Sequence, residues 1–280
     1  MSTPSVMRPY TALFASRFQQ MLQYRGAAVA GFITQCWWGG LKVMILAAFY
    51  GASASAATHA PMTLAQAVTY TWVSQALLAL MPWFGDPDVA AAVRTGAVSY
   101  DRLRPVDFYS LWFVRAAGWI AARVVPRAAL MLGFAAIVLP LVGLRDWSWQ
   151  LPASFAAGAL FAVSIALALA LSTAMVMLLN VIIAASLNAA GVNALAGGPT
   201  ILLAGNLLPL SLFPGWAQTA LLLQPFAGLL DIPMRIYFGA LEGGAALAGL
   251  GVQVFWIAAL VALGRWWLAR VLRNLEMQGG

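Results

Sequence analysis

The chain has 280 residues, of which 63% are hydrophobic and only 8% charged, with a mean hydropathy of +0.86. A water-soluble domain carries about 25% charged residues, so the composition excludes one and points to an all-α, polytopic helical membrane protein whose helices satisfy their own backbone. The net charge of +7 does not imply nucleic acid, because the arginines flank apolar runs instead of forming a basic face.

The apolar runs are continuous rather than alternating, which excludes a transmembrane β-barrel. The first 20 residues lack the apolar core and cleavage site of a signal peptide, so the first span is expected to direct insertion. Within residues 10–25, Tyr10, Phe14, Phe18, Met21 and Leu22 recur at spacings of three and four. Ser16, Gln19, Gln20 and Gln23 take the other side, with Arg8, Arg17 and Arg25 around them. The pattern predicts an N-terminal amphipathic helix lying in the headgroup plane, inside a cytoplasmic segment 1–26; a cytoplasmic extension of the first span is the alternative.

Residues 27–280 read as one transmembrane domain of six transmembrane helices. Span one is expected over 27–50, followed by the small-residue loop GASASAATHAPMT, and span two over 64–84. A polar loop, 85–110, comes next. It contains Asp86, Asp88, Arg94, Asp101, Arg102, Arg104 and Asp107, seven of the chain's 15 basic and eight acidic residues. Span three starts between residues 111 and 128 and ends near Gly143; Arg115, Arg123 and Arg127 fall within an arc of about 120°, which places that basic half at or beyond the headgroups.

The connection 145–149, with Trp147 and Trp149, reads as interfacial. Span four begins near Ala153 and carries no charge up to Leu187, about 52 Å of helix against a hydrocarbon core of about 30 Å. A turn is therefore required, at Asn188–Gly191. Span five, 192–212, contains Gly197-Gly198-Pro199 and is expected to bend. Residues 209–245 are apolar yet hold Pro209, Pro214, Pro225 and Pro233, which predicts short re-entrant helices on the outer side before the last span, 246–268. Gly239 and Gly243 have the spacing of a helix-pairing motif but sit at an interface.

With six spans, twelve of the 15 basic residues fall on one side. The positive-inside rule then makes both termini and the polar loop cytoplasmic. Five spans would put the basic C-terminus outside.

No chemistry of its own is expected from the chain. Its one lysine, Lys42, follows Leu41, so it has no Gly-Lys-Ser or Gly-Lys-Thr phosphate loop. The one histidine, His59, lies in the small-residue loop and reads as solvated; Cys36 lies inside span one, and no metal-ligand spacing occurs. Lys42 either lines a path for an anionic substrate or snorkels to the headgroups. Asn180, Asn193 and Asn206 are the other candidate polar contacts. Asp231 and Glu242 read as interfacial markers, and no acid is placed deep in a span, which argues against a proton-coupled transporter.

Within the polar loop, Asp86-Pro87-Asp88 is a helix start, Gly96 interrupts the helix, and Pro105 ends it. A short helix with apolar and charged groups suits docking to a soluble partner; an ordinary solvated loop is the alternative. The run Arg94-x-Gly96, then Tyr100-Asp101-Arg102-Leu103-Arg104-Pro105-Val106, with Phe108-Tyr109 and Arg115, resembles the ABC-2 type permeases, and more narrowly those with a Leu-Arg-Pro-Val motif after span two. Arg102 departs from that pattern, where an apolar residue is expected. The run from Leu208 to Pro214, with Gln224-Pro225-Phe226 and Ile232-Pro233, is similar to the re-entrant region of the same family.

The resemblance implies a permease subunit of an ATP-driven exporter in the bacterial cytoplasmic (inner) membrane. It implies a second permease copy, as a homodimer or a related heterodimer, above two copies of an ABC ATP-binding subunit. Those subunits would hold ATP and Mg, and this chain would bind no cofactor and catalyse nothing. Coupling to the ATPase would fall to Asp86, Asp88, Arg94, Gly96, Tyr100, Asp101, Leu103, Arg104 and Pro105. The gate helix would carry Tyr10, Phe14, Arg17 and Phe18. Spans one and five would line the path, with Lys42, Asn193 and Asn206 as its polar contacts. The rival readings are a stand-alone membrane enzyme or lipid-handling protein, and a secondary transporter.

Overall fold

The computed structural model describes residues 8–23, 25–52 and 60–276, and among these there are helices and turns but no strand. His59 and the loop residues 53–59 lie outside the described residues, as do residues 1–7. In chain order the helices are α1 (Arg8–Leu22), α2 (Arg25–Ala52), α3 (Leu64–Ala76), α4 (Pro87–Thr95) and α5 (Val98–Arg102). Then come α6 (Phe108–Leu141), α7 (Phe155–Ser186), α8 (Ala189–Leu203), α9 (Gly215–Leu223), α10 (Asp231–Tyr237) and α11 (Gly243–Glu276).

Local chemistry sets many of these boundaries. Thr63 forms a reciprocal capping box with Gln66 at the start of α3. Asp86, Asp107, Ser154 and Asn188 each accept a backbone N–H at the head of α4, α6, α7 and α8. The expected turn after span four is present: α7 ends at Ser186, Leu187 takes a positive φ of 55°, and the Asn188 side chain accepts from Gly191 N–H at 2.9 Å. α6 stays continuous past Pro140, which has no N–H to donate. A π-helical turn over Phe134–Val138 lies in the turn before it and absorbs the mismatch.

Among the described residues, four helices are long and apolar enough to cross a membrane: Ala28–Ala52, Phe108–Leu141, Phe155–Ser186 and Gly243–Arg273. This is the make-up of a multi-pass helical membrane protein. The two other expected spans are shorter than their apolar runs. α3 has 13 residues, about 20 Å, and gives way to a 3₁₀ turn over Leu78–Leu80 whose last carbonyl is bonded by the Ser172 hydroxyl. α8 has 15 residues, about 22 Å, and stops at Leu203 because Gly205 turns with φ 80° and Tyr70 Oη donates to its carbonyl at 2.9 Å. Tertiary hydrogen bonds, which leave no mark on hydropathy, hold the turn that follows each helix.

α7 is the central post, with Ala168, Leu171, Ser172, Ala174 and Met177 fully enclosed among α6, α10 and α11. Its small residues permit this close packing. Span three was expected to begin with a basic half at or beyond the headgroups. α6 starts at Phe108, and the arginines of that half pack against protein groups. Arg115 pairs with Asp101, Arg123 lies 4.6 Å over the Trp119 ring, and Arg127 lies against Gly31 of α2, where a Cβ would fall 2.6 Å from it.

The proline-rich region forms the expected short pieces: a 3₁₀ turn over Leu210–Leu212, α9, a second 3₁₀ turn over Pro225–Leu229, and α10. Asp231, read from the sequence as an interfacial marker, is enclosed by protein. It is buried, pairs with Arg235 at 2.6 Å and accepts from Leu210 N–H at 2.9 Å, which ties α10 to the first turn. Gly239 and Gly243 both have positive φ, so they make the bend into α11 and not a helix-pairing surface.

Candidate functional site

The polar loop folds as two short helices joined at a glycine. Asp86 Oδ1 accepts the Asp88 N–H at 2.9 Å and Pro87 occupies the first turn, so α4 starts as the sequence predicts. Gly96, at φ 72°, ends α4, and α5 follows within two residues. The interruption expected at Gly96 is thus present, at the one residue that takes this conformation without strain.

Two sets of contacts, some buried and some exposed, fasten this pair of helices to the bundle. At its head, the Asp86 carboxylate is fully buried and lies 3.4 Å from Arg17 of α1, which also reaches Asp88 at 2.5 Å and Gln20 at 3.1 Å. The Asp86 N–H donates to Asn180 Oδ1 of α7 at 2.7 Å, and the Gly85 N–H donates to Asn193 Oδ1 of α8 at 3.1 Å. At its tail, Asp101 accepts from Arg115 at 2.9 Å and from Trp112 Nε1 at 3.3 Å, both on α6. Asp107 then pairs with Arg265 of α11 at 3.1 Å. Five bundle helices hold one platform.

Electrostatics follow from these placements. Burial pushes the Asp86 carboxyl above its ordinary value, and the Asp88 N–H and the Arg17 guanidinium offset this only in part. For Asp107, partial burial works in the same direction, but hydrogen bonds from Ser110 and the charge of Arg265 outweigh it and hold the carboxyl below its ordinary value.

The outer surface of the platform is different in character. Arg94, Gly96, Leu103, Arg104 and Pro105 are exposed, with Leu103 at 81% and Tyr100 at 74%. Beside them a cleft of about 340 Å³ is lined by Leu13, Ala92, Tyr100, Asp101, Arg104 and Arg115. The nine residues expected to couple therefore divide. Asp86 and Asp101 are internal anchors, Asp88 is half-exposed and bridges to α1, and the other six face outward.

α1 packs along α6 with Tyr10, Phe14 and Phe18 half-buried and the Phe14 and Phe18 rings stacked at 6.1 Å. The contact is close: a Cβ at Gly118 would lie 3.0 Å from the Phe14 carbonyl and 3.3 Å from Arg17 Cβ. In the middle of this apolar stripe Arg17 is 8% exposed. Leu22, assigned to the same stripe, is exposed.

Of the three expected path residues, two meet. Lys42 Nζ donates to the Asn206 carbonyl at 2.9 Å, and both line an apolar pocket of about 510 Å³ between α2, α3 and residues 206–212. The lysine is turned toward the Asn206 backbone. Asn193 is elsewhere, on the platform's head. Asn180 joins it there as a structural acceptor, a role its sequence signal, one amide in the longest apolar run, flags only as polar and not as a partner of Gly85-Asp86. No group of three or more His, Cys, Asp or Glu side chains is placed to hold a metal among the described residues.

Comparison with protein-family models, with curated proteins and with solved structures finds no match to this chain.

Proposed function

We propose that this chain is the permease subunit of an ABC-2 type exporter, coupled to a separate ATP-binding subunit through the α4–α5 platform. The observation that carries this reading is the platform itself. It is an exposed pair of short helices whose outer side presents Tyr100, Leu103, Arg94 and Arg104, while Asp86 and Asp101 tie its inner side to α1, α7 and α6, and its flanking residues Gly85 and Asp107 tie it to α8 and α11. A force applied to such a surface is transmitted to α1, α6, α7, α8 and α11 together, which is what a part moved by an external motor needs. The absence of a phosphate loop in the sequence leaves the energy source to another chain.

In this reading the two short helices α3 and α8 complete a six-pass arrangement with both termini and the platform cytoplasmic. The partners are two ATPase copies and a second permease, identical or related. The permease holds inward- and outward-facing packings close in energy, and ATP binding on the partner shifts their populations. α1 acts as the gate helix, linked to the platform by Arg17.

The test is co-purification of the chain with the soluble ATPase encoded beside its gene. Retention that is lost on Tyr100→Ala plus Leu103→Ala supports the reading. Failure of every neighbouring ATPase to retain the chain contradicts it.

A further inference from the structure

The pocket between α2, α3 and residues 206–212 has a lopsided chemistry. Its walls are apolar, formed by Leu46, Phe49, Leu208 and Leu212 among others, and its volume of about 510 Å³ falls in the range of about 300–1,000 Å³ typical of small-ligand sites. Against that apolar wall stands one cation. Lys42 has three N–H donors and uses one, on the Asn206 carbonyl at 2.9 Å. No carboxylate lies within ion-pair distance of it among the described residues.

A second donor waits beside it. Asn206 is 5% exposed, lines the same pocket, and its side-chain Nδ2 is buried without a hydrogen-bond partner. Unpaired buried donors are costly and call for an acceptor. The other polar side chains at the site do not supply one. Tyr70 donates to Gly205, Tyr50 to Met62, Thr71 to Ala67 and Ser74 to Thr71, each to a backbone carbonyl. What is missing is an acceptor-rich, negatively charged group attached to an apolar body.

We propose that this pocket binds an anionic amphiphile, with a carboxylate or phosphate head on Lys42 Nζ and Asn206 Nδ2 and an acyl tail along Phe49, Leu208 and Leu212. As a binding site this stands independently of the exporter reading; only the ligand's fate as cargo rests on it. Because bilayer tails are as apolar as the pocket wall, head-group charge sets the selectivity and tail length matters little. Lys42 is ten residues before Ala52, about 15 Å of helix, so the head is held well below the end of α2.

The experiment uses the purified full-length chain in phosphatidylcholine nanodiscs, with no ATPase present. Separate samples receive diazirine-bearing palmitic acid, diazirine-bearing phosphatidylglycerol or diazirine-bearing phosphatidylcholine, and labelled peptides are mapped after photolysis. At least one anionic probe should label residues 45–49 or 207–212 at least ten-fold more than the phosphatidylcholine probe. Stronger labelling by palmitate identifies a free fatty acid, and by phosphatidylglycerol a membrane lipid. Lys42→Met should remove the anionic preference, and Lys42→Arg, which keeps the charge, should retain it. Equal labelling by all three probes overturns the proposal, as does an unchanged preference in Lys42→Met or its loss in both variants. A failure here leaves ATPase retention untouched, so the two readings fail separately.

Discussion

Arg17→Met removes the guanidinium that joins α1 to the platform. In the wild type that group sits 3.4 Å from the fully buried Asp86 carboxylate and 2.5 Å from the half-exposed Asp88. Breaking a buried pair from one side leaves an uncompensated charge and costs about 3–5 kcal/mol, whereas the exposed half of the contact contributes at most about 1 kcal/mol. Asp86 keeps its bond from the Asp88 N–H, so we expect a loss near the lower end, about 3 kcal/mol. Asp86→Asn retains the helix cap and leaves Arg17 its contact to Asp88, and should cost about 1–2 kcal/mol. In the double variant neither buried charge remains, so its total loss should fall short of the summed single losses by about 1–3 kcal/mol. Unfolding by SDS in mixed micelles, followed by tryptophan fluorescence, measures all three. Additive losses, to within about 0.5 kcal/mol, would refute the assignment of Arg17 and Asp86 as one unit.

Three further outcomes are expected. Because burial raises the Asp86 pKa, the folded protein takes up that proton at a higher pH than the unfolded chain; as pH falls from the raised value toward the ordinary carboxylate range, this residue's contribution to stability should grow, and Asp86→Asn should flatten that part of the stability–pH curve. Gly118→Val should push α1 off α6, since even a Cβ there lies 3.0 Å from the Phe14 carbonyl; a loss of about 1–3 kcal/mol and new protease cleavage within residues 8–22 would show it, and an unchanged digestion pattern would count against the close contact. Asp101→Ala strips Arg115 and Trp112 of their acceptor and should cost about 2 kcal/mol, while Arg104→Glu, at an exposed site, should change stability by no more than about 0.5 kcal/mol yet weaken ATPase retention. Thermal unfolding paired with co-purification separates the two roles.

Local chemistry was legible in the sequence and long-range contact was not. The Asp86-Pro87-Asp88 start, the Gly96 break, the turn at Asn188 and the short proline-punctuated helices after Pro209 each rest on a residue's own backbone preferences, and each is present. α3 and α8 are shorter than their apolar runs, and the turns just beyond them are bonded by Ser172 and Tyr70 of other helices, over sequence separations that hydropathy does not register. The charged loop stands out in the sequence as a polar segment between apolar runs. Its division into buried anchors and an exposed face was hidden, because Asp86 and Arg104 look alike as charges until Arg17, Asn180 and Asn193 are brought to one of them. Lys42 was left between two roles by its position in span one, and the Asn206 carbonyl, 164 residues away, accepts a hydrogen bond from it.

The central claim is that the outer side of α4–α5 receives a motor. It is tested most directly by placing a single cysteine at Leu103, in a Cys36→Ala background, and co-expressing this variant with the neighbouring soluble ATPase carrying surface cysteines around its phosphate-loop domain. The account predicts a disulfide-linked pair of this chain and the ATPase on mild oxidation, with a yield that changes when ATP is added, and none from a control cysteine at the buried Val89. No cross-link from Leu103 or Tyr100 to an ATPase that otherwise co-purifies with the chain would contradict it.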